Sequence, residues 1–129
     1  MNIISDTNIF LAVALDEPER ERIVQISKGT DVIAPEILPY EIGNALSSMV
    51  MHQRLTRNEA LSAQKKVSLI PVRLVGIDID QALKLAFDFN IYAYDAYFLQ
   101  CAKSLSRPLL TLDKRMMQVA VKLNIDVME

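Results

Sequence analysis

Apolar residues along this chain alternate between two spacings. Short continuous runs at Ile3-Ile4, Val32-Ile33-Ala34, Val72-Arg73-Leu74-Val75 and Leu109-Leu110-Thr111 suit buried strands. Between them the apolar positions recur at helical intervals. The first run turns polar at Asp6-Thr7-Asn8 and resumes as Phe10, Leu11, Ala14 and Leu15, a strand passing into a helix through an acidic corner. Asp16-Glu17-Pro18-Glu19 predicts the start of a second helix, because Pro is tolerated in a first turn and acids there suit the helix dipole; Gly29 ends it. A long third helix is expected from about Pro39 to Gln53, with Leu38, Ile42, Ala45, Leu46, Met49 and Val50 as its core stripe. Glu41 sits at the border of that stripe, and Gly43 beside it predicts the close approach of another backbone.

The remaining elements carry their own end signals. Thr56-Arg57-Asn58-Glu59 has capping-box spacing and opens a helix through about Leu69, before Pro71. Asp78 or Asp80 caps a helix running to Asn90. Tyr94 to Ala102 reads as another helix with Asp95 in its first turn, and Asp113 opens one through about Leu123. Ile125-Asp126-Val127 is expected as a last edge strand. Helices alternating with short apolar strands predict an α/β fold, a mainly parallel sheet covered on both faces.

Length and composition change this picture little. The 129 residues suffice for one domain, spanning 1–129, with an ordinary core and no need of disulfides. The single Cys101 fits a reducing compartment and a buried, inert thiol. With no basic-then-apolar leader and no membrane-length apolar run, the expected location is the cytoplasm. A net charge of -2 means that no overall positive field draws in nucleic acid. Three glycines are too few for a glycine-rich phosphate loop, and neither G-x-G-x-x-G nor a P-loop is present.

Candidate chemistry rests on acids. Asp6, Asp95 and Asp113 each stand at the amino end of a predicted helix, and Asp6 and Asp113 each follow a strand. If those two strands are neighbours, both acids rise at the topological switch point, where ligands gather in open α/β sheets. Asp95 and Glu41 then converge from covering helices. At an effective dielectric of about 20, two like charges about 4 Å apart repel by on the order of 4 kcal/mol. A gathered set therefore needs protons or a cation, and an oxygen-only set suits Mg²⁺ or Mn²⁺. Asn8 and Thr111 are placed to support the acids by hydrogen bonds. Asp is equally a good N-cap, so dipole-favoured caps with no metal explain the same placements.

Four segments together resemble the PIN-domain ribonucleases, and within them the toxin subunits of VapBC-type toxin–antitoxin pairs. They are Ile4-Ser5-Asp6-Thr7-Asn8, Pro39-Tyr40-Glu41-Ile42, Tyr94-Asp95-Ala96 and Leu110-Thr111-Leu112-Asp113. The resemblance implies a three-layer α/β/α sandwich and Mg²⁺- or Mn²⁺-dependent RNA cleavage. It makes Asp6, Glu41, Asp95 and Asp113 the catalytic, metal-holding quartet, with Asn8 and Thr111 in support. It also implies a homodimer and a small antitoxin protein as partner. Lys114 and Arg115, beside Asp113, are the expected RNA contacts, since a phosphate contact needs only reach and charge.

Two other classes with an early Asp fit less well. A haloacid-dehalogenase-like phosphatase expects a second Asp where Asn8 stands, and a phosphotransfer receiver expects paired early acids and a late Lys-Pro. The remaining alternative is a metal-free, protein-binding module of the same fold.

Overall fold

A computed structural model describes residues 1–129. In chain order the elements are β1 (Asn2–Ser5), α1 (Thr7–Ala14), α2 (Arg20–Ser27), β2 (Asp31–Pro35), α3 (Leu38–Met51) and α4 (Arg57–Ser68). They continue as β3 (Arg73–Val75), α5 (Ile79–Phe89), α6 (Ala93–Leu105), β4 (Leu109–Leu110) and α7 (Lys114–Lys122). The four strands form one parallel sheet in the order β3-β2-β1-β4. No helix is long and apolar enough to cross a membrane.

Period-two alternation in the central strand sorts the core into two layers. Ile4 and Leu109 face the larger layer, with Leu38, Ile42 and Leu46 of α3 and Phe98, Leu99 and Ala102 of α6. Ile3 and Leu110 face the smaller one, with Ile9 and Ala12 of α1 and Ile23 of α2. Both isoleucines are fully buried, which is why β1 reads as an apolar run rather than an alternating one. The chain leaves β1 toward β2 and β3, then returns to the other side of β1 as β4. That reversal sets the carboxyl ends of β1 and β4 side by side, with Ser5 opposite Leu110 and the Asp6 N–H donating to the Leu110 carbonyl at 3.0 Å.

Most end signals act as the sequence implies. Thr56 and Glu59 form a complete capping box, Asp78 rather than Asp80 caps α5, and Asn90 closes that helix in the left-handed conformation (φ 53°). Three expectations are corrected. Asp16–Glu19 does not begin α2 as a whole. Asp16 turns left-handed (φ 52°) and the Glu17 N–H closes onto the Ala12 carbonyl at 2.9 Å, ending α1, while Glu19 is the N-cap of α2, whose helix starts at Arg20. Ile125–Val127 is no strand, because β4 has only two residues to pair with, and a single parallel bridge joins Leu109 to Val127.

The third correction concerns Gly43, which no other backbone approaches. A Cβ built there meets nothing within 4 Å. Gly in a helix interior is less favourable than Ala by roughly 0.5–1 kcal/mol. Gly43→Ala is therefore expected to raise the thermal midpoint by a few degrees, as read by circular dichroism; a fall would mean that the glycine is needed for a contact made only in an assembly.

Candidate active site

Asp6 is the single residue between β1 and α1, so the chain has no slack to swing its carboxylate into solvent. Its backbone is extended (φ -74°, ψ 159°), as an N-cap requires, and the residue is only 5% exposed. One carboxylate oxygen, Oδ1, accepts the Thr7 N–H at 2.7 Å, and Oδ2 accepts the Thr111 hydroxyl at 2.9 Å. Burial pushes its pKa from 3.8 up to about 6; the two hydrogen bonds oppose that rise, and the nearby charges of Asp95 and Glu41 add to it. Capping and candidate chemistry thus meet in one residue and do not compete.

Glu41 lies in the first turn of α3, half-buried, and its Oε2 accepts the Thr7 hydroxyl at 2.8 Å. Its pKa is raised, first by burial and further by Asp95, with the Thr7 hydrogen bond opposing. Asp95, in the first turn of α6, is raised by burial and then by the charge of Asp113. Asp113 caps α7 through Oδ1, which accepts the Met116 N–H at 3.1 Å, while its own N–H donates to the Thr111 hydroxyl oxygen at 3.0 Å. Buried Thr111 therefore bridges the ends of β1 and β4, donating to one acid and accepting from the backbone of another.

Asp6, Glu41 and Asp95 line one cavity of about 290 Å³, together with Thr7, Asn8 and Asn44 and the walls Ile37, Tyr40, Ala45 and Tyr94. Asp113 does not line it and reaches it through its charge on Asp95. No three acidic, His or Cys side chains are grouped tightly enough as they stand to hold a metal ion, and hydroxyl groups bond both Asp6 and Glu41. Asn8 is exposed at the mouth. Lys114 is exposed, whereas Arg115 donates to the Phe89 carbonyl at 2.7 Å and ties α7 to the carboxyl end of α5.

Sequence reasoning passed over two polar members of this cavity. Thr7 has no local signal, because its partner is 34 residues away. Asn44 was legible: it stands three residues after Glu41 on the same helix and so shares its face.

The donors suit a hard divalent ion. Three desolvated, mutually repelling carboxylates line the cavity with amide and hydroxyl oxygens. The softer ligands are elsewhere: His52 is exposed at the far end of α3, and the buried Cys101 thiol is pushed up to about 11 by desolvation.

Thr111→Val tests how much of this arrangement rests on one hydroxyl. It strands a buried carboxylate and a backbone N–H, so a stability loss of about 1–3 kcal/mol is expected in denaturant unfolding. An unchanged midpoint would contradict the bridge.

A short-stranded parallel sheet with acids at the switch point between its two central connections defines a class of α/β proteins. The family model for the PIN domain matches residues 3–122, and the chain belongs to that family. PIN domains are generally nucleases. No curated protein matches the sequence. Among solved structures, the fold is shared with PAE2754 from Pyrobaculum aerophilum at 21% identity and a TM-score of 0.67, covering 96% of this chain and 90% of that one. It is shared also with VapBC2 from Rickettsia felis, solved bound to a DNA fragment from its promoter, at 13% identity and a TM-score of 0.69 over 100% of both chains.

Proposed function

We propose that this protein is a divalent-metal-dependent endoribonuclease, the toxin of a toxin–antitoxin pair, acting in the cytoplasm. The observation that carries the nuclease reading is the shared cavity. Three acids, from the junction of β1 with α1, from α3 and from α6, face one space, and burial together with neighbouring carboxylate charge holds their pKa values up. Asp6, Glu41 and Asp95 would hold Mg²⁺ or Mn²⁺ with Asp113, whose charge acts on Asp95, as the fourth acid, and with Asn8 and Thr111 in support. When bound, such an ion supplies polarisation of a phosphodiester oxygen and a lowered pKa for the attacking water.

The chain's own residues do the rest. Thr7 and Thr111 fix the Glu41 and Asp6 carboxylates by donated hydrogen bonds, so their free lone pairs face the cavity in one arrangement. Asp95, whose carboxylate has no hydrogen bond opposing its raised pKa, is the acid best able to orient a water and take its proton. Lys114, exposed one residue after Asp113, is the cation nearest in sequence for a substrate phosphate. Arg115 has donors left beyond the one given to Phe89.

Likeness to a VapBC toxin–antitoxin protein, together with PIN membership, supports a small antitoxin as partner. A homodimer is part of the same reading. The test is direct: purified protein with Mn²⁺ and end-labelled RNA is expected to give internal cuts that a chelator stops. Intact RNA under every divalent ion tried would leave the protein-binding module instead.

A further inference from the structure

A second cavity of about 440 Å³ adjoins the acidic one, and the two share Ile37 and Tyr40 as a common wall. Its other lining comes from the end of β2 (Pro35 and Glu36), from Ile77 and Ile79 beside the start of α5, and from Tyr97 of α6. The surfaces left open here are large and apolar: Tyr40 is 75% exposed and Ile79 54%. Tyr94, on the acidic side, meets Tyr97, on the apolar side, edge to face with ring centroids 5.9 Å apart. The Tyr94–Tyr97 pair thus links the wall of the acidic cavity to that of the apolar one.

We propose that the apolar cavity is a base-binding subsite, taking the unpaired base of a nucleotide next to the phosphate held over the acids; this rests on the nuclease reading above. The only charged side chain in it is Glu36, which repels a phosphate and leaves a neutral, planar group as the fitting occupant. Aromatic side chains hold single-stranded bases by stacking, whatever the base, because each has a π-face. A base inside a duplex cannot present that face, so an occupied subsite requires the seated nucleotide to be unpaired. Because the two cavities share Ile37 and Tyr40, a base seated in one lies next to a phosphate held in the other and helps to set it in register.

KM and kcat for a single-stranded oligoribonucleotide with Mn²⁺ test this, in the wild-type chain, Tyr40→Ala and Tyr40→Phe. Tyr40→Ala is expected to raise KM about tenfold with a much smaller change in kcat, and Tyr40→Phe to restore it. An abasic nucleotide beside the cut site is expected to impose the same loss on the wild type and little more on Tyr40→Ala. Equal KM values for all three proteins, with no abasic effect, would overturn the subsite and leave the nuclease standing. Should the wild type cut nothing, binding still decides: the chain has four tyrosines and no tryptophan, so tyrosine fluorescence can be followed as the oligonucleotide is added with Ca²⁺. Quenching lost in Tyr40→Ala would keep the subsite and remove the nuclease; no quenching would remove both.

Discussion

Asp95→Asn is expected to lower divalent-ion-dependent RNA cleavage by roughly 10³-fold, because losing several kcal/mol of ion-mediated stabilisation costs a factor of ten for about every 1.4 kcal/mol. The substitution is nearly isosteric at a half-buried position in the first turn of α6. Burial and the charge of Asp113 raise the Asp95 pKa with no hydrogen bond opposing them, so the neutral amide relieves repulsion and strands no donor. Folding is therefore expected to be unharmed, with a thermal midpoint equal to or above that of the wild type. That separation matters: activity falls while stability does not. Cleavage undiminished in the variant would point to a different site or to a contaminating nuclease.

The second large effect is on stability, and its sign depends on pH. Asp6 binds its proton more tightly in the folded chain, at about 6, than at the ordinary 3.8. Below 3.8 the group is protonated in both states and contributes nothing. As pH rises from there to 6 the unfolded chain releases its proton first, and the charged, buried form then costs the fold about 3 kcal/mol above pH 6. Asp6→Asn removes that cost. An asparagine carbonyl can still accept the Thr7 N–H, and its amide can donate to the Thr111 hydroxyl oxygen, which has a second lone pair. Without divalent ions, the variant is expected to match the wild type near pH 4 and to melt several degrees higher near pH 7.5. A gap that stays constant with pH would contradict the burial of this carboxylate. Saturating Mn²⁺ is expected to raise the wild-type midpoint at pH 7.5 and leave that of the variant nearly unmoved.

Much of this was readable before any coordinates, for local reasons. The Asp6-Thr7-Asn8 corner announces itself because a buried strand and a helix meet there with one residue between them. Asp95 and Asp113 are legible as first-turn and capping acids, and Glu41 as an acid at the edge of an apolar stripe. What was not readable depends on distance along the chain. Nothing near Thr7 says that its hydroxyl meets Glu41, and nothing near Thr111 fixes β4 against β1 rather than at another edge. Asp16–Glu19 misleads because acids and Pro serve a turn as well as a first helical turn. The cavity walls, Tyr40 and Tyr94, look like ordinary helix-start residues until α3 and α6 are seen to face each other across the acids.

Crystals soaked in Mn²⁺ and measured for anomalous scattering would locate the ion directly. Density is expected about 2.1 Å from carboxylate oxygens of Asp6 and Asp95, with Glu41 bordering the same ion. Manganese settling elsewhere, or absent from that cavity at saturating concentration, would contradict the reading of these acids as a metal centre.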